Sequence, residues 1–283
     1  MNSNPVHQYF YLWIVAIIVP LWALIFYRKK ASRIEIIYMG LLMGTCAMGL
    51  DRYCSFHDYW RPPTVFRIFN FESFLYGFFW GGISAKIFEL LFGREYRATG
   101  EPNPVFVLIF VFASFLLYMV LLGLFNVNSV DNYIILMLLC VIVLLFLKKE
   151  LFIVSVVSGV CMVVVNMCWY AVILAIYPEA VDNIWRIENI SGLSVFGVPI
   201  EEHAYIFFMG CFGSILYKAA TRPNGATVPT MDDRPTKGQY FLQLMRPYRV
   251  PLFFLFLVVG RMVLFGEALI PIGKIFDELR FFP

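Results

Sequence analysis

Apolar residues occur in long blocks along this chain, and short polar segments separate the blocks. Most blocks approach the roughly 20 residues that an α-helix needs to cross a bilayer. The pattern predicts about eight transmembrane helices, at residues 9–27, 34–50, 71–92, 105–125, 133–147, 151–177, 195–217 and 252–270. The last block contains Arg261 and Glu267, so an amphipathic helix in the membrane interface is the alternative for it.

Composition supports the same class. Of 283 residues, 61% are hydrophobic and 14% are charged, which is unlike a soluble globular domain. We therefore expect an all-α polytopic membrane protein. The six cysteines lie mostly in apolar blocks and form no C-x-x-C pair, so neither a disulfide framework nor a metal site is indicated. No basic helix or finger points to a nucleic-acid partner, and no G-x-G-x-x-G motif after a strand points to a cofactor.

Lysine and arginine are distributed unequally between the polar segments. If the N-terminus lies outside, most of them through residue 249 fall on the inner side of the membrane, as basic residues do in membrane proteins. The sequence therefore predicts a multi-pass protein of the cell (cytoplasmic) membrane with its N-terminus outside.

The predicted seventh helix opens with two carboxylates and a histidine, Glu201, Glu202 and His203, directly after Pro199. Ionisable groups at the mouth of a transmembrane segment are costly and mark function by default. Ordinary carboxylates in the first turn, favoured by the helix dipole, are the alternative. His203 either relays a proton to Glu202 or hydrogen-bonds a loop carbonyl.

A second copy of this segment begins at Asn70 and aligns without gaps with the segment from Pro199. The alignment pairs Glu72 with Glu201, Tyr76 with Tyr205 and Phe79 with Phe208. The i, i+4, i+7 spacing predicts that each acid shares a helix face with two aromatic rings.

The duplication predicts two parallel three-helix repeats, helices 1–3 and 5–7, related by a pseudo-two-fold axis along the membrane normal. The corresponding domains are 1–97, a connecting helix at 98–130, the second repeat at 131–218, and a cytoplasmic loop with a last helix at 219–283.

These residue types favour one kind of chemistry. A carboxyl group among aromatic rings is desolvated, which favours its protonated form and keeps a proton available. The ring faces attract a cation. Together they suit an acid-initiated carbocation reaction on an alkene, with a long hydrocarbon substrate that enters sideways from the bilayer.

The stretch Pro199-Ile200-Glu201-Glu202 resembles the P-x-E-[ED] motif of the integral-membrane lycopene cyclase domains, which occur in bacterial heterodimeric and fungal bifunctional enzymes. In that family a tryptophan-containing loop commonly precedes the motif, matched here by Trp60 and Trp185. The chain thus resembles a fused tandem pair of such domains. Its first copy, Asn70-Phe71-Glu72-Ser73, departs from the motif in lacking the proline and the second acid.

The resemblance implies a lycopene β-cyclase-like activity without net redox change and without a cofactor. Glu201 or Glu202 would protonate the terminal double bond, and Glu72 would be the partner in the other half. Loss of cyclisation is expected from Glu201→Gln or Glu202→Gln. The residues expected around the substrate are Tyr76, Phe79, Tyr205, Phe208, Trp60, Trp185 and His203. The expected partners are a lipid-soluble polyene and the bilayer, with a homo-oligomer or other carotenoid-pathway enzymes left open.

Alternatives remain at this point. Water could capture the same cation, which would make the protein a hydratase, and paired intramembrane acids also occur in proton-coupled carriers. Trp60 and Trp185 also suit anchoring at the interface. Asp51 either faces a cavity or is a solvated acid at a helix end. Lys86 and Glu89 are interpreted as a structural pair or as snorkelling groups.

Overall fold

The computed structural model describes residues 5–66, 70–93, 100–125, 128–221 and 246–265, which form a helical bundle with one short β-hairpin. The helices are α1 Pro5–Gln8, α2 Phe10–Arg28, α3 Arg33–Leu50, α4 Phe56–Asp58, α5 Phe71–Phe92, α6 Pro104–Phe125, α7 Ser129–Leu147, α8 Phe152–Ile176, α9 Ala180–Ile184, α10 Ile200–Ala220 and α11 Arg249–Phe265. The antiparallel strands are β1 Ser194–Val195 and β2 Val198–Pro199.

The bundle is that of an all-α polytopic membrane protein, as predicted. Among the described residues, six helices are long and apolar enough to cross a membrane: α2, α3, α5, α6, α7 and α8. Helix α10 has 21 residues and packs inside the bundle, but Glu201, Glu202 and Lys218 make it less apolar. The apolar part of α11, Arg249–Val259, is shorter than a full span.

Helix boundaries follow the hydrophobic blocks except where polar side chains or turns intervene. Helix α7 begins at Ser129, before the predicted residue 133, because the Asn128 side chain accepts a hydrogen bond from the Asp131 backbone N–H at 2.9 Å. Helix α10 begins at Ile200 and not at 195. The apolar residues before it form the β-hairpin, whose turn residues Phe196 and Gly197 have φ of 54° and 76°.

The predicted eighth helix is only partly visible. Helix α11 begins at Arg249, before the predicted residue 252, and is described to Phe265. The side chain of Arg261, the residue Glu267 and the loop 222–245 lie outside the described residues.

Glycines allow close helix packing at two matching places. A Cβ added to Gly81 of α5 would lie 2.7 Å from Cβ of Met43 in α3. A Cβ added to Gly210 of α10 would lie 2.7 Å from Cγ of Met162 in α8. Small residues at helix interfaces let backbones approach closely within a membrane. The same glycine–methionine contact therefore holds α3 to α5 and α8 to α10.

The connections between helices match in the same way. Helix α2 is followed by a 3₁₀ turn, Lys30–Ser32, that leads into α3. Helix α7 is followed by the 3₁₀ turn Lys149–Leu151, which leads into α8. Helices α5 and α10 then meet in the middle of the bundle.

Four buried charged side chains join three helices at one end of the bundle. The Lys86 ammonium lies 2.5 Å from the Glu35 carboxylate and 2.7 Å from that of Glu89. The Lys218 ammonium lies 2.8 Å from Glu35 and 3.3 Å from Glu89. Two cations and two anions make the cluster neutral, and their burial favours the structural-pair interpretation of Lys86 and Glu89 over snorkelling.

We expect Lys218→Met to destabilise the bundle by about 3–5 kcal/mol, because it leaves a buried carboxylate without a counter-charge. The matched control is Lys148→Met, since Lys148 is part of an exposed pair 4.0 Å from Glu150 and should change stability little. Thermal unfolding of both purified variants in detergent measures the effect. Equal unfolding temperatures would contradict the structural role of the cluster.

Candidate active site

The opposite end of the bundle, called here the acid end, is organised by two loops that pair with each other. One loop follows α4 and the other follows α9. The Arg61 N–H donates to the Ile184 carbonyl at 2.8 Å, and the Arg186 N–H donates to the Tyr59 carbonyl at 2.7 Å. These reciprocal bonds flank the residue pair Trp60 and Trp185. The two halves of the chain are therefore tied together at this end.

A cavity of about 50 Å³ lies beneath this bridge, and we call it the acid chamber. Two carboxylates, Asp51 and Glu202, face it from different halves of the chain. The remaining lining residues are Ala47, Leu50, Ser55, Tyr59, Trp60, Tyr76, Ser129, Val130, Tyr133, Trp169, Trp185 and Tyr205. Half of the lining residues are thus aromatic, and each half of the chain supplies one acid.

Glu202 is held by groups from both halves. It is only 5% exposed, and its Oε1 accepts hydrogen bonds from the Tyr59 hydroxyl and from the Trp185 indole N–H, the latter at 2.9 Å. The hydroxyl of Tyr170 lies next to it. Burial and the charge of Glu202 raise the pKa of Tyr59 well above its usual value, so this hydroxyl keeps its proton and acts as a donor.

Asp51 is the second acid of the chamber. It follows α3 as the first residue of a five-residue π-helical segment, Asp51–Ser55, a geometry that often occurs at functional sites. It accepts hydrogen bonds from the Tyr11 hydroxyl at 2.9 Å and from the Trp60 indole N–H at 3.4 Å. Burial raises its pKa to about 6, although these hydrogen bonds oppose the shift. Of the two interpretations of Asp51, the structure supports the cavity-facing one.

Glu72 and Glu201 lie elsewhere, in matching positions. Glu72 accepts hydrogen bonds from the backbone N–H groups of Val65 and Phe66 at 2.6 and 3.0 Å. Glu201 accepts one from the Ser191 N–H at 2.9 Å. Both are buried and hold the loop before their helix, but neither lines the acid chamber. Glu72 was predicted as the partner acid in the other half, whereas the acid that the first half supplies to this chamber is Asp51.

The predicted aromatic residues divide into two groups. Tyr76, Tyr205, Trp60 and Trp185 line the acid chamber. Phe79 and Phe208 do not line it: Phe79 contacts Trp22 and Phe78, and Phe208 contacts Phe207. The helix face that meets the chamber contains Glu202 and Tyr205, whereas the predicted face contained Glu201, Tyr205 and Phe208.

His203 is buried behind the hairpin. Its Nε2 lies 3.4 Å from the carbonyl oxygen of Val195, a loop carbonyl, and the ring is absent from the chamber lining. This contact corresponds to the second of the two roles considered for His203. Within the described ranges, no group of three or more histidine, cysteine or acidic side chains is placed to hold a metal ion.

Comparison with known proteins identifies the second half of the site. Residues 128–220 match the family model described as lycopene cyclase. This region is therefore similar to the lycopene cyclase domains. No curated protein and no solved structure matches the chain. The match supports a role in carotenoid cyclisation in general.

The matched region supplies only part of the acid chamber. It contributes Glu202, Trp185 and Tyr205, whereas Asp51 and Tyr59 come from residues before the match. Sequence reasoning did not include Asp51 or Tyr59 among the site residues. The available signals were an acid at the end of an apolar block and a tyrosine beside the loop tryptophan.

The pKa of Asp51 gives a direct test of its position. We expect infrared titration of the purified protein to show a protonated-carboxyl band that disappears with a midpoint near pH 6, because burial favours the neutral form. Asp51→Asn should remove this titration. Glu201→Gln is the control, and it should leave the midpoint in place. A midpoint near pH 4 would mean that Asp51 is in contact with bulk water.

Proposed function

We propose that the protein is a membrane-embedded lycopene β-cyclase that converts an acyclic end group of a carotenoid into a ring. The observation that carries this proposal is the burial of Glu202 and Asp51 on two sides of one aromatic chamber. The lycopene cyclase domain at 128–220 gives the substrate class.

In the proposed mechanism Glu202 is the proton donor. Its carboxyl group transfers a proton to the terminal double bond and leaves a tertiary carbocation. The internal alkene of the end group then attacks this centre, so that a ring carbon–carbon bond forms and the positive charge moves into the ring. The hydroxyl of Tyr59 and the indole N–H of Trp185 stabilise the carboxylate that remains.

Asp51 completes the reaction as the base. With a pKa of about 6 it is ionised near neutral pH, so it can remove a proton from the ring carbon next to the cation and form the new double bond. One proton is added and one is lost, so substrate and product are isomers. No electron carrier is required for such a step. The faces of Trp60, Trp169 and Tyr76 stabilise the cation between the two transfers.

The two halves of the chain are a fused pair of three-helix repeats in this proposal. The supporting observations are the glycine–methionine contacts of α3 with α5 and of α8 with α10, the matching 3₁₀ turns, and the reciprocal bonds around Trp60 and Trp185. The first repeat falls within 1–97 and the second within 131–218, with 98–130 as the connection. The active chamber forms only where the repeats meet.

The substrate would be a lipid-soluble polyene taken from the bilayer of the cell membrane. The distribution of basic residues supports an N-terminus on the outer side. The acid end then lies towards the outer surface, and the buried charge cluster of Glu35, Lys86, Glu89 and Lys218 lies towards the inner one.

Expression of the chain in cells that accumulate lycopene should yield a cyclic carotene, and Glu202→Gln should reduce the product by at least about a hundredfold, since an amide cannot donate the proton. Glu201→Gln is the matched control. An amide oxygen at 201 still accepts the Ser191 N–H, so most activity should remain. Chromatography of the pigments measures both.

Other outcomes of the pigment analysis are decisive as well. Unchanged lycopene with the wild-type chain present in the membrane would refute the cyclase proposal. A hydroxylated acyclic product would instead favour a hydratase, in which water captures the cation. A full loss of product with Glu201→Gln and a normal level with Glu202→Gln would reverse the roles assigned to the two acids.

The role of Asp51 as a base predicts the pH dependence. Protonation of Asp51 removes the base, so kcat/KM should fall as the pH decreases below about 6 and stay level just above it. Initial rates in detergent or nanodiscs between about pH 5 and 8 measure this limb. A kcat/KM that increases as the pH falls through 6 would contradict an ionised Asp51 in catalysis.

A further inference from the structure

A second and larger cavity lies beside the acid chamber. It has a volume of about 330 Å³, within the range of ordinary ligand sites, and we call it the apolar chamber. It is formed by residues of α3, α6, α7, α10 and α11 and by Cys54. Its lining is almost wholly hydrocarbon and aromatic, and the described residues contribute no charged side chain to it. Its chemistry therefore suits a long apolar molecule.

The two chambers share part of their walls. Leu50 and Tyr133 line both of them. The ring of Tyr133 also contacts the ring of Tyr205, which lies in the acid chamber, with centroids 5.1 Å apart. The two chambers therefore lie side by side, with Leu50 and Tyr133 between them.

In the other half, a tryptophan fills the place equivalent to that of Leu50. Trp169 stands as many residues after Met162 as Leu50 stands after Met43, so the two occupy matching positions. The Trp169 indole N–H donates to the Ile14 carbonyl of α2 at 2.9 Å, and its ring contacts Tyr76 and Trp80. Trp169 thus fills the space between α2 and α8. At the equivalent place between α3 and α7, the smaller Leu50 borders the apolar chamber.

The apolar chamber also reaches the lipid-facing surface. Phe112 and Phe115 of α6 belong to its lining, and their side chains are 64% and 48% exposed in the described part of the chain. In a membrane this surface faces acyl chains. A hydrocarbon could enter between α6 and α11 without crossing an aqueous phase.

We infer that the apolar chamber binds the polyene arm of the substrate while its end group lies in the acid chamber. This inference rests on the proposed function for the identity of the ligand, a long conjugated hydrocarbon. Among the described residues, Trp169 fills the equivalent place in the other half, so the arm extends on the side of Leu50 and Tyr133.

Gly49 offers a way to fill the chamber without disturbing the fold. A Cβ added there meets only Val258, at 3.8 Å, which is ordinary contact. Gly49→Phe would therefore place a ring inside the apolar chamber. The matched control is Cys168→Phe, since Cys168 occupies the equivalent position of α8 and is exposed. Leu50→Trp is a second variant, which copies Trp169 into the equivalent place.

The experiment measures lycopene binding to the full-length purified chain in nanodiscs by induced circular dichroism in the visible range. All variants carry Glu202→Gln, so that no product forms during the titration. Gly49→Phe and Leu50→Trp should each weaken binding by at least about tenfold. Cys168→Phe should bind as the background protein does. Unchanged binding with Gly49→Phe would overturn the inference.

A second measurement needs no substitution in the chamber. A photoreactive acyclic isoprenoid, activated on the wild-type protein, should label α6 and α7 at lining residues such as Ser114 and Cys140, and excess lycopene should suppress the label. Labelling that lycopene does not suppress would assign the chamber to lipid acyl chains and refute the inference. Labelling confined to residues outside the chamber lining would refute it too.

The chamber and the cyclase can fail separately. If lycopene binds and Gly49→Phe weakens it, but the wild-type chain forms no cyclic carotene, the binding site stands and the proposed reaction fails. If cyclic carotene forms and neither chamber variant affects binding, the reaction stands and the chamber is not the binding site.

Discussion

The acid end depends on one short backbone contact, the reciprocal pair of hydrogen bonds around Trp60 and Trp185. In a bilayer a loop cannot leave its N–H and C=O groups unpaired at any depth where water is scarce. The two loops satisfy part of this requirement with each other. As a consequence Tyr59 of the first half reaches Glu202, and Trp185 of the second half covers the same carboxyl group. Neither half alone would build this environment.

If the two halves are repeats, as proposed, they exchange their polar groups. Asp51 and Tyr170 occupy matching positions after Met43 and Met162, while Ser73 and Glu202 each follow the glutamate that holds the preceding loop. In the first half the carboxyl group of Asp51 follows α3, and the hydroxyl group of Ser73 is on α5. In the second half the hydroxyl group of Tyr170 is on α8, and the carboxyl group of Glu202 is on α10. Two identical halves would place identical carboxyl groups around the chamber. The exchange instead gives two acids with different neighbours. The proposed reaction needs such a difference, because one acid must donate a proton and the other must accept one.

The transmembrane helices could be predicted from the sequence because the bilayer imposes a length and an apolar composition on them. Helix α5 begins and ends at the predicted residues, Phe71 and Phe92. The site was harder to predict from the sequence. Glu201 and Glu202 are adjacent, so their side chains differ by about 100° around the helix. Contacts with the loops, such as those of Ser191 with Glu201 and of Tyr59 and Trp185 with Glu202, decide which of the two faces the chamber. Such contacts join residues far apart in sequence, and hydropathy does not report them.

The proposed carbocation reaction on a long hydrocarbon has two requirements, and each cavity would meet one of them. The proton transfers need buried carboxyl groups with fixed hydrogen-bond partners, and these line the acid chamber, a cavity of about 50 Å³. The rest of a polyene needs only apolar volume. The apolar chamber offers about 330 Å³ and shares the wall formed by Leu50 and Tyr133 with the acid chamber. Because the acid chamber is smaller than an ordinary ligand site, an end group of the proposed substrate would enter only if the wall at Leu50 and Tyr133 moved. In the proposed reaction, an end group that fills the chamber would exclude water from the two acids, and this would favour loss of a ring proton to Asp51 over capture of the cation by water.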